Sequence, residues 1–135
     1  MTETSAIPPG RFCWLDLAAT DLAVAAGFYG STFGWTGREE HASGGTLLRF
    51  RQAGREVATA YQLRPRHLAA GAPSHWTPYL RVAGLEPALG RVVAGAGRVV
   101  VPPVAAAERV RVALVQDPIG ALFGLWEEEP GDGPS

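Results

Sequence analysis

The sequence predicts an α+β fold in which one β-α-β-β-β unit is written twice. Three observations predict it. Apolar runs with a two-residue period alternate with stretches of helical spacing, in the same order in both halves. Glycines that close the two helical stretches, Gly34 and Gly97, stand 63 residues apart. The same shift places Leu17 on Leu80 and Asp21 on Gly84, each at an equivalent point of its unit. Residue identity between the halves is poor, so the repeat is one of pattern.

The elements follow in order. Residues 1–10 close on Pro8-Pro9-Gly10 and residues 129–135 are rich in Pro, Gly and acid, so both ends read as flexible tails around a single domain at 11–128. Module one spans 11–63. Phe12 to Ala18 reads as a strand, Thr20 or Asp21 as an N-cap, and Leu22, Ala25, Ala26, Tyr29 and Phe33 as a helix ended by Gly34. Trp35–Arg38, Thr46–Arg51 and Arg55–Leu63 read as strands, the last two joined at Ala53-Gly54. Residues 64–74 lack a sheet period and read as a linker. Module two, 75–128, repeats the plan: a strand at Trp76–Val82, then a helix carrying Leu85, Leu89, Val92, Val93 and Ala96 to Gly97. Strands at Arg98–Val101, Arg109–Gln116 and Leu122–Glu127 complete it, the last preceded by the turn Asp117-Pro118-Ile119-Gly120. A short sheet with one helix is too small to close a core, so the halves are expected to pack on each other or on a second chain.

Composition narrows the function. The 135 residues hold 12 basic side chains, all Arg, against 13 acids, a formal net charge of −1. That balance lacks the basic excess of a general nucleic-acid binder. One Cys excludes an internal disulfide, and no CxxC pair exists for zinc or redox work. No apolar run approaches the roughly 18 residues of a membrane span. The first residues lack the features of a signal peptide. The expectation is a soluble, cytoplasmic domain without nucleic-acid or membrane partners.

The stretch FCWLDLAATDLAVAAGFYGSTFGW, with Asp21, Phe28-Tyr29 and Phe33-Gly34-Trp35, resembles the opening of the vicinal-oxygen-chelate superfamily, which includes glyoxalases, extradiol dioxygenases and bleomycin-resistance proteins. HWTPYLRVAGLEPAL resembles the start of its second module, and VQDPIGALFGLWE the end. The resemblance covers about residues 11–128. It implies paired βαβββ modules whose mixed sheet curls around a cleft with helices on the outer face, often in a homodimer. Enzymes of that family hold a divalent metal with His, Gln or Glu on the first and last strands of each module. Those places fall here on Trp14, Thr77, Gly124 and a position near Ala58, none a competent ligand. His75, on the same strand face as Thr77, is the one rescue. The resemblance therefore implies a member with neither metal nor other cofactor.

Strand alternation then sorts what fills the cleft. Trp14, Asp16 and Ala18 face it from the first strand, and Thr77, Tyr79 and Arg81 from the fifth. Glu56, Ala58, Ala60 and Gln62 face it from the fourth, and Leu122, Gly124 and Trp126 from the eighth. Trp35 and Trp76 lie near its rims. This expected ligand-binding set (Trp14, Asp16, Trp35, Trp76, Thr77, Tyr79, Arg81 and Trp126) suits a small hydrophobic or aromatic molecule with one polar end. Tryptophans on a small sheet equally serve as core or interface filling, and Asp16 with Arg81 as a structural ion pair. His41 and His67 read as solvated, and Cys13 as an inert buried hydrophobe. The leading expectation is a homodimeric protein that sequesters an aromatic natural product or antibiotic. A second is a cofactor-independent isomerase, cyclase or lyase with Asp16 or Glu56 as general base. A third is a metal-dependent lyase or dioxygenase with atypical ligands.

Overall fold

The computed structural model describes residues 7–42 and 45–129. Eight strands and three helices follow in the order β1 (Phe12–Ala19), α1 (Leu22–Phe33), β2 (Thr36–Ala42), β3 (Gly45–Gln52), β4 (Arg55–Gln62), α2 (Pro65–Ala69), β5 (His75–Arg81), α3 (Leu85–Ala94), β6 (Arg98–Ala107), β7 (Val110–Gln116) and β8 (Leu122–Glu128). This is the βαβββ plan twice over. Among the described residues no helix is long and apolar enough to cross a membrane.

The chain forms two compact units, Leu15–Thr77 and the remainder up to Trp14 and from Pro78 onward. In the Leu15–Thr77 unit, β1 lies parallel to β4 with Asp16 opposite Thr59, and β3 and β2 follow in antiparallel pairs. Asp21 caps α1, its carboxylate accepting the Val24 N–H at 3.1 Å, and Gly34 ends the helix with a left-handed φ of 76° that glycine adopts freely. Under α1 lie Leu17, Ala19, Leu48, Phe50 and Ala60, with Tyr29, Trp35 and Trp76 packed against them. In the other unit β5 lies parallel to β8 with Tyr79 opposite Gly124, and β7 and β6 follow antiparallel. Arg11 and Gly10 exchange backbone hydrogen bonds with Arg81 in the same unit. α3 packs on Val82, Ala113, Val115 and Leu125. Its first N–H, from Leu85, is accepted by Glu127 at 2.7 Å, a carboxylate at the positive end of the helix.

Three local expectations give way. Residues 64–74 include α2, begun by Pro65, whose fixed φ suits the first helical position. α3 stops at Ala94; Ala96 takes the left-handed turn (φ 71°), while a side chain on Gly97 would strike the Gln116 carbonyl. β6 continues to Ala107 across Pro102-Pro103, which an edge strand with shifted register tolerates.

Candidate functional site

In the Leu15–Thr77 unit one sheet face is covered by α1 and the other carries the ionisable side chains. Leu17 belongs to the α1 side, so Asp16 points the opposite way. Because β1 and β4 are paired at Asp16 and Thr59, these two stand side by side, and the Thr59 hydroxyl donates to Asp16 Oδ1 at 2.8 Å. Burial pushes the Asp16 carboxyl up to about 6, although the Thr59 hydrogen bond and the field of His75 pull it back. Tyr61 follows Thr59 on this face; burial, with the nearby Asp16 charge, raises its hydroxyl pKa.

Arg49, opposite Thr59 on β3, extends the face. Its guanidinium contacts Glu40 at 3.0 Å and Glu56 at 3.4 Å, and Glu40 also receives Arg38 at 2.9 Å. Hydrogen bonds from Arg49 first, then Arg38, hold the Glu40 carboxyl below its ordinary range. A bulge decides which residues of β4 belong here. The register steps from Phe50 opposite Ala58 to Arg51 opposite Glu56, passing over Val57. Glu56 thereby reaches the Arg49 side, as expected, but Ala58 and Ala60 do not line it: both are fully buried, Ala60 beneath α1. Gln62 likewise turns to the α1 end, accepting the Leu22 N–H and donating to the Thr20 carbonyl. Thr59 and Tyr61 take the places that simple alternation assigned to the alanines. The 63-residue shift carries Gly124 to Tyr61, so only the pairing register, Asp16 opposite Thr59 and Tyr79 opposite Gly124, identifies Thr59 as its counterpart.

Trp35 and Trp76, expected near the rims, pack on the α1 side. Trp35 stacks on Tyr29 at 5.1 Å, and the Trp76 indole N–H donates to the Tyr29 hydroxyl at 3.1 Å. His75 Nδ1 lies 3.0 Å from the Pro73 carbonyl.

The second unit treats the matching position differently. Tyr79 lies across Gly124 so closely that any β-carbon there would meet its ring. Trp126 sits 6.0 Å from Tyr79 and 5.9 Å from Trp14. Both indoles are only 8 % exposed, packed with Cys13, Val110 and Val112. Burial pushes the Cys13 thiol up to about 11. Arg81 donates to the Ile7 carbonyl at 3.2 Å. The aromatic floor expected from the sequence is here a packed cluster.

The donor chemistry at the four metal-ligand places is an indole at Trp14, a buried hydroxyl at Thr77, no side chain at Gly124 and, by the observed register, a hydroxyl at Thr59. These side chains do not fit a divalent ion. Among the described residues no three His, Cys, Asp or Glu side chains gather as a metal site.

The paired βαβββ units and the strand positions just described define a class. Together with the relatives that follow, they indicate the vicinal-oxygen-chelate (glyoxalase) superfamily. No family model matches the sequence. It is 31 % identical over 129 residues to CFP32 of Mycobacterium tuberculosis, a protein designated a glyoxylase, covering 94 % of this chain and 49 % of that protein. It is 30 % identical over 131 residues to the anthracycline biosynthesis protein DnrV of Streptomyces peucetius, covering 89 % and 48 %. The chain thus spans about half the length of these curated relatives. Among solved structures, Bacillus halodurans protein BH1468 matches with a TM-score of 0.68 over 92 % of this chain and 98 % of that one, at 14 % identity. Methylmalonyl-CoA epimerase from Mycobacterium tuberculosis matches at 0.61 over 94 % and 95 %, at 19 % identity. At such identities these two likenesses speak for the fold alone.

Proposed function

We propose that this protein binds a small, planar aromatic natural product through Asp16, without a metal or other cofactor. One observation carries the reading: where the superfamily would place metal ligands stand side chains that do not fit a divalent ion, while a half-buried carboxylate, hydrogen-bonded to Thr59, stands on the β1–β4 pair of the Leu15–Thr77 unit. Above pH 6 that carboxylate is ionised and accepts hydrogen bonds only. The ligand must therefore present a donor, such as a phenolic hydroxyl or an amine, beside its flat apolar body. Likeness to an anthracycline biosynthesis protein supports a ligand of this kind. In this reading Tyr61 borders the ligand, Arg49 lines the far side, and Trp14, Tyr79, Trp126, Trp35 and Trp76 are packing.

The test is titration of the protein with hydroxyanthraquinones at pH 7.5, followed by tryptophan fluorescence and calorimetry. Saturable binding that weakens at least tenfold in Asp16→Ala, and below pH 5.5 in the native chain, is the expected outcome. Binding indifferent to Asp16 and to pH overturns the proposal.

The raised Asp16 pKa favours a second reading, a cofactor-independent isomerase or cyclase in which Asp16 removes a proton from an activated carbon and returns it to another. Mass and absorbance changes in the bound compound, lost in Asp16→Asn with binding retained, would mark it; an unaltered compound rejects it.

A further inference from the structure

The face that carries Asp16 is built in rungs, each made of residues paired across neighbouring strands. Asp16, Thr59 and Arg49 form a polar rung. Two residues further along β4, Ala18, Tyr61 and Leu47 form the next, apolar but for one hydroxyl. In the polar rung the donors are already engaged. Thr59 gives its one hydroxyl proton to Asp16, and the Arg49 guanidinium is held by Glu40 and Glu56. The Tyr61 hydroxyl hydrogen-bonds no other described residue, and the residue is 37 % exposed. The other two tyrosines differ: the Tyr29 hydroxyl accepts the Trp76 indole N–H, and Tyr79 lies across Gly124. Burial, with the nearby Asp16 charge, raises the pKa of the Tyr61 hydroxyl, so at neutral pH it keeps its proton and can donate it.

We propose that Tyr61 sets ligand specificity by donating its hydroxyl proton to a carbonyl oxygen, so that the ligand is a planar aromatic ketone or quinone that also bears an amine or phenolic hydroxyl. The proposal rests on the binding of a planar ligand at Asp16, which places the compound on this face. The two side chains read complementary halves of the ligand. The ionised Asp16 carboxylate only accepts, and it already takes one proton from Thr59, so it selects a donor. Tyr61, one rung away, supplies a donor that no described residue uses, so it selects an acceptor. A ligand with an amine but no carbonyl would cover the Tyr61 hydroxyl and leave it unpaired, a cost that a carbonyl removes. Leu47, opposite Tyr61, adds apolar surface for the flat frame that carries both groups.

The experiment compares two probes, aminoanthraquinone and aminoanthracene, which share the fused rings and the amine and differ in the ring carbonyls. Each is titrated by calorimetry at pH 7.5 into the native chain, Tyr61→Phe and Asp16→Ala. The native chain should bind the quinone about five- to tenfold more tightly, the worth of one neutral hydrogen bond. Tyr61→Phe, which removes only the hydroxyl, should erase that margin, leave aminoanthracene unchanged and keep the circular dichroism of the native chain. The visible band of the bound quinone should shift to the red in the native chain and not in Tyr61→Phe, because a hydrogen bond to the carbonyl draws charge from the amine. Equal binding of the two probes by the native chain, a margin that survives Tyr61→Phe, or an equal loss of both probes in that variant overturns the proposal. Asp16→Ala separates it from the reading it rests on, since both probes carry the amine and should weaken alike. If Asp16→Ala is silent while Tyr61→Phe erases the margin, the Asp16 reading fails and the Tyr61 donor stands. If Asp16→Ala weakens both probes while the margin survives Tyr61→Phe, the reverse holds. Failure of both probes to bind the native chain overturns both.

Discussion

Asp16→Asn should make the protein more stable at neutral pH and no more stable in acid. The carboxyl titrates near 6 in the folded chain against an ordinary value of 3.8, chiefly because burial penalises its charge. A folded-state pKa above the unfolded one means that the folded chain holds more protons between those values, so stability falls as pH rises through that window. Below about pH 4 both states are protonated and the penalty is absent; above about pH 6 it is complete. At about 1.36 kcal/mol per pH unit, the gap is roughly 3 kcal/mol. The asparagine escapes the penalty, accepts the Thr59 hydroxyl through its carbonyl oxygen, but must also place an amide group, so a net gain of about 1–2 kcal/mol at pH 8 is the expectation. The assay is urea unfolding of both proteins at several pH values from 4 to 8, with the difference between them plotted against pH. Taking the difference cancels Glu40 and Glu86, whose lowered pKa values drive acid destabilisation in both. A flat difference, or one that favours the native chain more as pH rises, refutes the reasoning.

Three further outcomes follow from the same geometry. Thr59→Val removes the hydroxyl that steadies the charged form, so the Asp16 carboxyl should titrate still higher by carbon-detected NMR, with a stability loss of about 1–2 kcal/mol at pH 8; an unmoved titration would discount the hydrogen bond. Gly124→Ala drives a methyl into the Tyr79 ring and should cost about 1–3 kcal/mol while altering the near-ultraviolet dichroism of Trp126, and an unaltered spectrum would show the ring free to yield. Cys13, raised to about 11 and buried, should resist thiol reagents at pH 8 until the chain is unfolded; rapid labelling of the native protein would contradict its burial.

The helix signals were legible because they are local. Asp21 and Gly84, matched by the 63-residue shift, are the N-caps of α1 and α3, and Gly34 closes α1 as its position demanded. Face assignments on β5, β8 and the paired part of β1 were also readable, since no register shift interrupts them there: Asp16, Tyr79 and Trp126 lie where a two-residue period sends them, although Cys13 and Trp14, adjacent at the start of β1, share one cluster. The fourth strand was not readable in the same way. The bulge at Val57 shifts the period by one residue, and neither Val57 nor its neighbours carry turn chemistry that would announce it. Thr59 was lost with it. The aromatic side chains show a different gap. Sequence periodicity says which side of a strand a tryptophan occupies but not whether a neighbour already fills the space above it, and Tyr79 over Gly124 fills that space. Trp35 and Trp76 were drawn instead to Tyr29 by ring contacts distant in sequence.

The two strand pairs, Asp16 with Thr59 and Tyr79 with Gly124, occupy the same position of the repeat, and this gives a protein engineer an exchangeable cassette. In the proposed function the first pair serves ligand binding at a cost in stability, while the second is packing. Copying tyrosine and glycine onto positions 16 and 59 would yield a silent scaffold, sturdier and inert. Writing aspartate and threonine onto positions 79 and 124 would place a second hydrogen-bonded carboxylate where packing now prevails. A duplicated fold need keep only one working copy, and the spare is then free to become ballast.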